Sequence, residues 1–193
     1  MLSYNESLKI LKETSALLEG HFILSSGLHS KQYVQCAKLL SHPNKAEAIC
    51  SSLCEKIKKV FNKIDIILSP AIGGIVVGYE LGRQLKVETI FAERLDQKLV
   101  LRRGFKIPES SNVLIVEDVI TTGKSALECS ELIETSKSKL IGYACIIDRS
   151  NNKSLIKDKI VSQIKLKMDT YKNKELPDDL KKIQPTKLGS RNL

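Results

Sequence analysis

The alternation of short apolar segments with helical segments through the middle of the chain constrains the fold more than any other feature of the sequence. Four continuous apolar runs, at residues 64–68, 88–92, 113–116 and 140–147, predict β-strands, and helical patterns follow the first and the third. Strands of this kind, alternating with helices, are typical of a parallel sheet that is buried on both faces. The sequence therefore predicts an α/β fold with a central parallel sheet flanked by helices. In such folds ligands bind beyond the carboxyl ends of the strands.

The first 40 residues predict a smaller unit that caps the sheet. Ser3 and Glu6 have the spacing of a helix-capping box, and apolar residues at helical spacing continue to about Glu19. Two short strands are predicted after this helix, at residues 22–25 and 32–36, around a turn rich in Ser, Gly and His.

No repeat or flexible linker divides the 193 residues, and a single domain is predicted. It comprises the cap at about 1–40, a core at about 41–150 and a basic C-terminal extension at 151–193. The extension has 11 Lys and Arg against 5 Asp and Glu, so it carries +6 of the net charge of +9. Such a segment is typical of a nucleic-acid-binding tail or of a Lys-rich solvated surface. Because Lys greatly outnumbers Arg, we expect the solvated surface and no nucleic-acid partner.

Cysteine usage and hydropathy predict where the protein resides. The longest stretch without charge, residues 66–79, is shorter than a membrane span and is interrupted by Pro and Gly. The N-terminus lacks the pattern of a signal peptide. The five cysteines include no C-x-x-C pair, so we expect reduced thiols in a cytoplasmic protein. These cysteines are Cys36, Cys50, Cys54, Cys129 and Cys145.

The segment at residues 113–125, VLIVEDVITTGKS, carries the clearest indication of chemistry. An apolar strand ends in the adjacent carboxylates Glu117 and Asp118, and a loop of small hydroxyl residues then opens a helix. Backbone N–H groups at a helix N-terminus bind phosphate, and Gly123 lets the backbone approach an anion closely. The letters GKS resemble the end of a P-loop, but Asp118 stands where a P-loop requires Gly.

The two carboxylates determine what kind of phosphate compound fits this segment. They would repel a phosphate, whereas they accept hydrogen bonds from the vicinal hydroxyls of a sugar. A divalent cation would also satisfy them. The segment therefore predicts a site for a phosphorylated sugar, with the phosphate on the loop amides and the ribose hydroxyls on Glu117 and Asp118.

Residues 113–125 resemble the phosphoribosyl-diphosphate-binding motif of type I phosphoribosyltransferases, in which four hydrophobic residues precede two acids and a Thr/Gly/Ser loop. Three further segments resemble the orotate-specific members of that family. Residues 19–30 are similar to their substrate-covering segment, residues 69–75 to their pyrophosphate loop, and residues 146–149 to the strand end whose Arg meets orotate. The resemblance spans roughly residues 15–150. It implies the type I phosphoribosyltransferase fold with a small N-terminal hood.

The resemblance also implies a reaction and its partners. The phosphoribosyl group would pass from 5-phosphoribosyl 1-diphosphate to orotate, giving orotidine 5'-monophosphate and pyrophosphate in UMP biosynthesis. Mg²⁺ would be held mainly through the substrate, with no direct protein ligand. In a homodimer, the basic loop at residues 94–106 would cover the neighbouring subunit's site.

The resemblance assigns roles to individual residues. Glu117, Asp118 and Lys98 are expected to act in catalysis, and Thr121 and Arg149 to contact orotate. The residues expected to bind phosphoribosyl diphosphate are Arg94, Lys98, Glu117, Asp118, Val119, Ile120, Thr121, Thr122, Gly123, Lys124 and Ser125.

Two positions depart from the pattern of many family members. The pyrophosphate loop often carries a Lys where this chain has Gly73, and the covering segment often carries a Lys where it has Ser25. Both departures remove a cation, and the basic loop could compensate for them. Further contacts are expected from Ser25, Ser26, Gly27, Gly73, Gly74, Arg102 and Arg103.

Two other functions stay open on the sequence. One is a type I phosphoribosyltransferase that uses a purine or uracil, and the other is a non-catalytic regulator that senses phosphoribosyl diphosphate and binds nucleic acid. Arg149 and the covering segment favour orotate, and the basic loop favours an enzyme. For His21, His29 and His42 we expect surface or capping roles.

Overall fold

The centre of the fold is a six-stranded sheet in a computed structural model that describes residues 1–151 and 153–188. Five strands are parallel, as predicted, and a short antiparallel strand lies at one edge. The strands are β3 (Ile66–Pro70), β4 (Glu88–Leu95), β5 (Lys98–Leu101), β6 (Asn112–Ile120), β7 (Lys139–Asp148) and β8 (Ile160–Lys165), in the order β5-β4-β3-β6-β7-β8.

Helices cover both faces of this sheet, which explains why its strands are continuously apolar. Helices α3 (Pro43–Lys58) and α4 (Gly73–Leu85) pack on one face, and α5 (Lys124–Thr135) packs on the other. Alternate residues of β6 enter the two cores: Leu114 lies with α3 and α4, and Ile115 lies with α5. The prediction of a parallel sheet flanked by helices is confirmed.

A second, three-stranded sheet forms the N-terminal cap, which we call the hood. Its strands β1 (Leu17–Ile23) and β2 (His29–Val34) form an antiparallel hairpin, and β9 (Thr170–Tyr171) pairs with β2. Helix α1 (Tyr4–Glu13) precedes the hairpin, and α2 (Cys36–Leu40) follows it.

The capping box at the start of α1 is confirmed, but the predicted end of the helix is wrong. Ser3 Oγ accepts from the Glu6 N–H, and the Glu6 carboxylate accepts from the Ser3 N–H at 2.7 Å. The helix ends six residues before Glu19, because Ser15 adopts a φ of 55° and Leu17 is drawn into the core as the first residue of β1. Both hood strands begin before their predicted starts at residues 22 and 32.

The sheet extends beyond the boundary of about residue 150 that was predicted for the core. Strand β8 adds residues 160–165 to the sheet, with Val161 and Ile164 buried. The chain then returns to the hood through β9, a 3-10 turn at Asn173–Glu175 and α6 (Asp178–Lys181). Frequent lysines between the apolar positions concealed this strand in the sequence.

The predicted charged loop at residues 91–106 is mostly a β-hairpin. Strand β4 continues to Leu95, and Asp96 and Gln97 turn the chain into β5 with φ angles of 46° and 67°. Two successive positive φ angles are those of a two-residue hairpin turn. Leu99 packs into the core and holds β5 in place. Among residues 1–151 and 153–188, no helix is long and apolar enough to cross a bilayer.

Replacing Gly142 by Ala should destabilise the fold by about 2 kcal/mol or more, because overpacking a filled site has this cost. A Cβ atom there would lie 2.6 Å from the Phe61 ring and 2.9 Å from the Lys159 carbonyl oxygen, between β7 and β8. Gly104→Ala is the matched control, since Gly104 also has a positive φ (76°) but has open space around it. Urea denaturation measures both, and equal losses of unfolding free energy would contradict the packing argument.

Candidate active site

A cleft of about 950 Å³ lies beyond the carboxyl ends of β3, β4 and β6. This is the edge at which parallel α/β sheets bind ligands. Its floor is formed by the end of β6, and its sides by the starts of α4 and α5. The predicted phosphoribosyl diphosphate residues that line it are Arg94, Glu117, Asp118, Val119, Thr121, Thr122, Gly123, Lys124 and Ser125.

The two acids at the end of β6 are half-buried, and burial controls their charge. Burial, with a smaller contribution from the charge of Asp118, raises the pKa of Glu117 to about 8. Burial also raises the pKa of Asp118, while the Val119 N–H, which donates to Asp118 Oδ1 at 2.9 Å, acts in the opposite direction. Near neutral pH the pair therefore holds a proton, so it can both donate hydrogen bonds to sugar hydroxyls and accept them.

The start of α5 forms an anion-binding turn. Gly123 precedes the helix with a φ of 80°, and a Cβ atom there would lie 2.8 Å from Ile156. The Leu155 N–H donates to the Thr122 carbonyl at 2.9 Å, so residues 154–156 support the turn from behind. The first amides of α5 and the hydroxyls of Thr121 and Thr122 are thus available to a phosphate.

The start of α4 approaches β6 so closely that side chains are excluded. A Cβ atom on Gly73 would lie 2.7 Å from Asp118 Oδ1, and one on Gly74 would lie 3.0 Å from the Val116 carbonyl oxygen. A residue larger than Gly at position 73 would therefore require the Asp118 carboxylate to move. A second helix N-terminus therefore borders the cleft beside the acids.

The basic residues of the β4–β5 hairpin are distributed unevenly around the cleft. Arg94 lines it and donates to Glu128 Oε2 at 2.7 Å. Arg103 lies outside it in a bidentate ion pair with Glu93, which does line the cleft. Lys98 and Arg102 are exposed and outside the lining. The hairpin thus carries two cations that the cleft of the same chain does not use.

Arg149 directly follows β7 and, unlike Thr121, is not among the residues that line the cleft. Its N–H donates to the Ile120 carbonyl at 2.8 Å, so it lies next to the buried end of β6. Burial lowers the pKa of Arg149, and the nearby Cys36 and Tyr33 of the hood side act in the opposite direction. Within the described ranges 1–151 and 153–188, Arg149 forms no ion pair and its buried Nε has no hydrogen-bond partner. An unpaired, half-buried guanidinium is costly, and an anionic ligand would satisfy it.

Other hood residues lie differently from their predicted positions. Ser25, Ser26 and Gly27 form the exposed turn of the hairpin and do not line the cleft. His21 and His29 are buried and hydrogen-bonded to each other, so the expected surface or capping role is wrong for these two.

Sequence reasoning missed Gln35, which lines the cleft at the junction of β2 and α2. Its N–H donates to the Ala16 carbonyl at 2.8 Å, and this bond fixes the junction. Gln35 falls inside the strand that was predicted at residues 32–36, so the sequence pattern did not mark it as a site residue.

Comparison with known proteins identifies the family. A family profile described as a phosphoribosyl transferase domain matches residues 36–180. The orotate phosphoribosyltransferase of Caldicellulosiruptor bescii is 45% identical over 184 residues, which cover 95% of this chain and 96% of that protein. The chain belongs to the orotate phosphoribosyltransferase family. Its type I phosphoribosyltransferase fold is thereby confirmed.

Solved structures share the fold at low sequence identity. Orotate phosphoribosyltransferase from Aeropyrum pernix superposes with a TM-score of 0.70 at 23% identity, covering 82% of this chain and 92% of that one. Adenine phosphoribosyltransferase from Saccharomyces cerevisiae gives a TM-score of 0.66 at 21% identity, covering 81% of this chain and 99% of that one. Because the same fold serves different bases, the fold alone does not select the base.

The carboxyl carbon of Glu117 should titrate with a midpoint near pH 8 in ¹³C NMR of the folded chain. Asp118→Asn should lower that midpoint, since it removes a neighbouring negative charge, but should leave it above 4.5 because burial is the larger cause. Exposed Glu109 serves as the internal control. A Glu117 midpoint at the ordinary value in the parent chain would contradict the account of the acid pair.

Proposed function

We propose that this chain transfers the 5-phosphoribosyl group from 5-phosphoribosyl 1-diphosphate to orotate in UMP biosynthesis. The bond between ribose C1 and the diphosphate oxygen breaks, a bond between C1 and the orotate N1 forms, and pyrophosphate leaves. One observation carries the proposal: two adjacent acids lie between two helix N-termini in one cleft, near a guanidinium that has no acidic partner among the described residues. The family relationship to orotate phosphoribosyltransferases supports the choice of reaction.

The cleft has a different binding place for each part of phosphoribosyl diphosphate, according to the charge of that part. The amides at the start of α5, with Thr122 and Ser125, bind the 5-phosphate. Glu117 and Asp118 take the ribose hydroxyls, because a carboxyl pair sharing a proton matches the donors and acceptors of a diol. The start of α4 and Arg94 face the diphosphate.

Orotate fits the region between Arg149 and the hood. Its carboxylate matches the fork of a guanidinium, which binds carboxylates in a bidentate manner. Thr121, at the start of the loop, provides a hydroxyl on the side of the ribose. A neutral base such as uracil would leave the Arg149 charge without a counterion.

The reaction needs positioning and electrostatic stabilisation more than a strong base. Orotate reacts as a dianion that is already deprotonated at N1, so no proton has to be removed, and the ribose develops positive charge as the diphosphate departs. The acid pair lies where it stabilises that positive charge, and the amides of α4 stabilise the departing negative charge. The hood excludes water, which prevents hydrolysis of the activated sugar.

The donor chemistry of the cleft fits Mg²⁺ held through the substrate. Within the described ranges, no group of three or more His, Cys, Asp or Glu side chains could hold a metal alone. Mg²⁺ typically keeps several waters and binds substrate phosphates, so the substrate would hold it without a direct protein ligand. When bound, Mg²⁺ would neutralise the diphosphate and make it a better leaving group.

A homodimer would explain the unused cations of the β4–β5 hairpin. Ile72, Val76 and Tyr79 form an apolar stripe at helical spacing beside the cleft, with 85%, 49% and 66% of their surfaces exposed. We propose that this stripe packs against a second copy of the chain. The hairpin then brings Lys98 and Arg102 to the partner's cleft, where they neutralise the pyrophosphate.

The direct test is consumption of orotate, followed by its ultraviolet absorbance, with phosphoribosyl diphosphate and Mg²⁺. Uracil, adenine and hypoxanthine are assayed in parallel. We expect orotate alone to be consumed, and a chelator to stop the reaction. Turnover of another base would contradict the assignment of orotate as the substrate, but not the fold. Absence of turnover with retained phosphoribosyl diphosphate binding would indicate the non-catalytic regulator.

Arg149→Ala should raise the KM for orotate roughly 100-fold, because it removes charge-assisted hydrogen bonds of about 2–3 kcal/mol. Arg149→Lys should recover only part of this, since an ammonium lacks the bidentate geometry. The KM for phosphoribosyl diphosphate should change little. Lys167→Ala, which removes a surface cation from the hood side, is the control. An unchanged KM for orotate in Arg149→Ala would show that orotate does not bind at Arg149.

Mixing two inactive variants tests whether the hairpin serves the partner's cleft. Lys98→Ala and Asp118→Asn should each be nearly inactive alone. A mixed dimer has one cleft with an intact acid pair and an intact partner hairpin, so equilibrated mixtures should recover about a quarter of the parental activity. A mixture that stays inactive although mixed dimers form would assign Lys98 to the cleft of its own chain.

A further inference from the structure

Two buried histidines connect the hood to the end of the described chain. His21 on β1 is 4% exposed, and His29 on β2 is 7% exposed. His21 Nε2 lies 2.7 Å from His29 Nδ1, and His21 Nδ1 lies 2.8 Å from the carbonyl oxygen of Ile183. The reaction proposed for the cleft uses neither imidazole ring.

The partners of His21 determine its tautomer. The Ile183 carbonyl can only accept, so His21 Nδ1 carries the hydrogen. Nε2 of the neutral ring is then an acceptor, and His29 Nδ1–H donates to it. The two rings therefore form a directed chain of hydrogen bonds that runs from β2 through β1 to Ile183.

Main-chain hydrogen bonds extend this connection along residues 178–188, which we call the C-terminal clasp. The Thr186 N–H donates to the His21 carbonyl at 2.8 Å, and the Ile23 N–H donates to the Thr186 carbonyl at 3.0 Å. Asp179 forms an ion pair with Lys31 on β2. Leu180 is almost completely buried beneath these contacts.

The hood hairpin needs this support. A two-stranded hairpin is marginally stable by itself, and β9 adds only two residue pairs to β2. The clasp runs along the other strand, β1, so the hairpin is held on both sides by residues that follow the core sheet in sequence.

The same hairpin leads directly to the cleft and passes near Arg149. Strand β2 ends at Val34, and Tyr33 lies near the guanidinium. Gln35, directly after β2, lines the cleft. A shift of the hairpin would therefore move the base side of the cleft, whereas the phosphate-binding turn on α5 belongs to the core.

We infer that His21 is a positioning residue for the base side of the cleft, which it holds in place by fastening the hood hairpin to the C-terminal clasp. The choice of orotate as the substrate rests on the proposed function. The clasp rests only on the hydrogen bonds described above. The inference assigns a role to the C-terminal clasp, which belongs to the extension that was predicted from its basic charge to be only a solvated surface.

Two substitutions of His21 separate its two hydrogen bonds. Asn places its amide nitrogen where imidazole has Nδ1, so His21→Asn keeps the bond to the Ile183 carbonyl and loses the one to His29. Gln reaches the position of Nε2, so His21→Gln keeps the bond to His29 and loses the clasp. Because each variant loses one bond, a merely structural role predicts equal effects.

His21→Gln should raise the KM for orotate about fivefold, the effect of one lost buried hydrogen bond, with an unchanged KM for phosphoribosyl diphosphate and an unchanged kcat. His21→Asn should stay within about twofold of the parent in all three. Hydrogen exchange should be faster in His21→Gln at residues 29–34 and unchanged in β6. Equal behaviour of the two variants, or a parallel rise of both KM values, would overturn the inference.

A main-chain substitution gives an independent test if His21→Gln fails to fold. Thr186→Pro removes the N–H that bonds the His21 carbonyl, and Thr186→Ala keeps it. We expect faster exchange in the hairpin and a raised KM for orotate only in Thr186→Pro. Faster exchange with an unchanged KM would overturn the positioning role. If the parent chain did not use orotate, the proposed function would fail, and unchanged exchange in Thr186→Pro would separately refute the clasp.

Discussion

The close approach of α4 to the end of β6 is the constraint on which the site depends. Gly73 and Gly74 allow the helix start to touch the Asp118 carboxylate and the Val116 carbonyl, and neither contact tolerates a Cβ atom without displacement. This approach brings the N-terminus of α4 next to that of α5 across a single strand end. Two positive helix ends then face one cleft, which is the arrangement that a sugar carrying phosphate groups at both ends requires.

The acids between these helix ends set the charge balance of the cleft. Burial raises the pKa of Glu117 to about 8, so the pair does not present two full negative charges to the phosphates at neutral pH. When a ribose binds to such a pair, its hydroxyl groups replace water. These hydroxyl groups both donate and accept hydrogen bonds. The cations are kept apart from the acids: Arg94 is paired with Glu128, Arg103 with Glu93, and Arg149 lies at the hood. Arg94 and Arg149 can therefore meet different anionic groups of the two substrates.

The sequence predicted what is encoded locally and failed where distant segments meet. Strand β6 and the turn before α5 follow from neighbouring residues, but the strand continues to Ile120 and therefore includes both acids, which were predicted to follow it. The β4–β5 hairpin was taken for a loop because its turn has no Gly, and Gln97 is not a typical residue for a positive φ angle. Strand β8 was concealed by lysines. The His21–His29 pair depends on contacts with residue 183, and no local pattern reports such a contact.

The measurement that tests the account most directly is a crystal structure of the chain with phosphoribosyl diphosphate, Mg²⁺ and a non-reactive orotate analogue. We predict the 5-phosphate on the first amides of α5, the ribose hydroxyls on Glu117 and Asp118, and the analogue's carboxylate on Arg149 beneath the hood. A 5-phosphate bound at Arg149, or a ribose turned away from the acid pair, would contradict the assignment of the cleft.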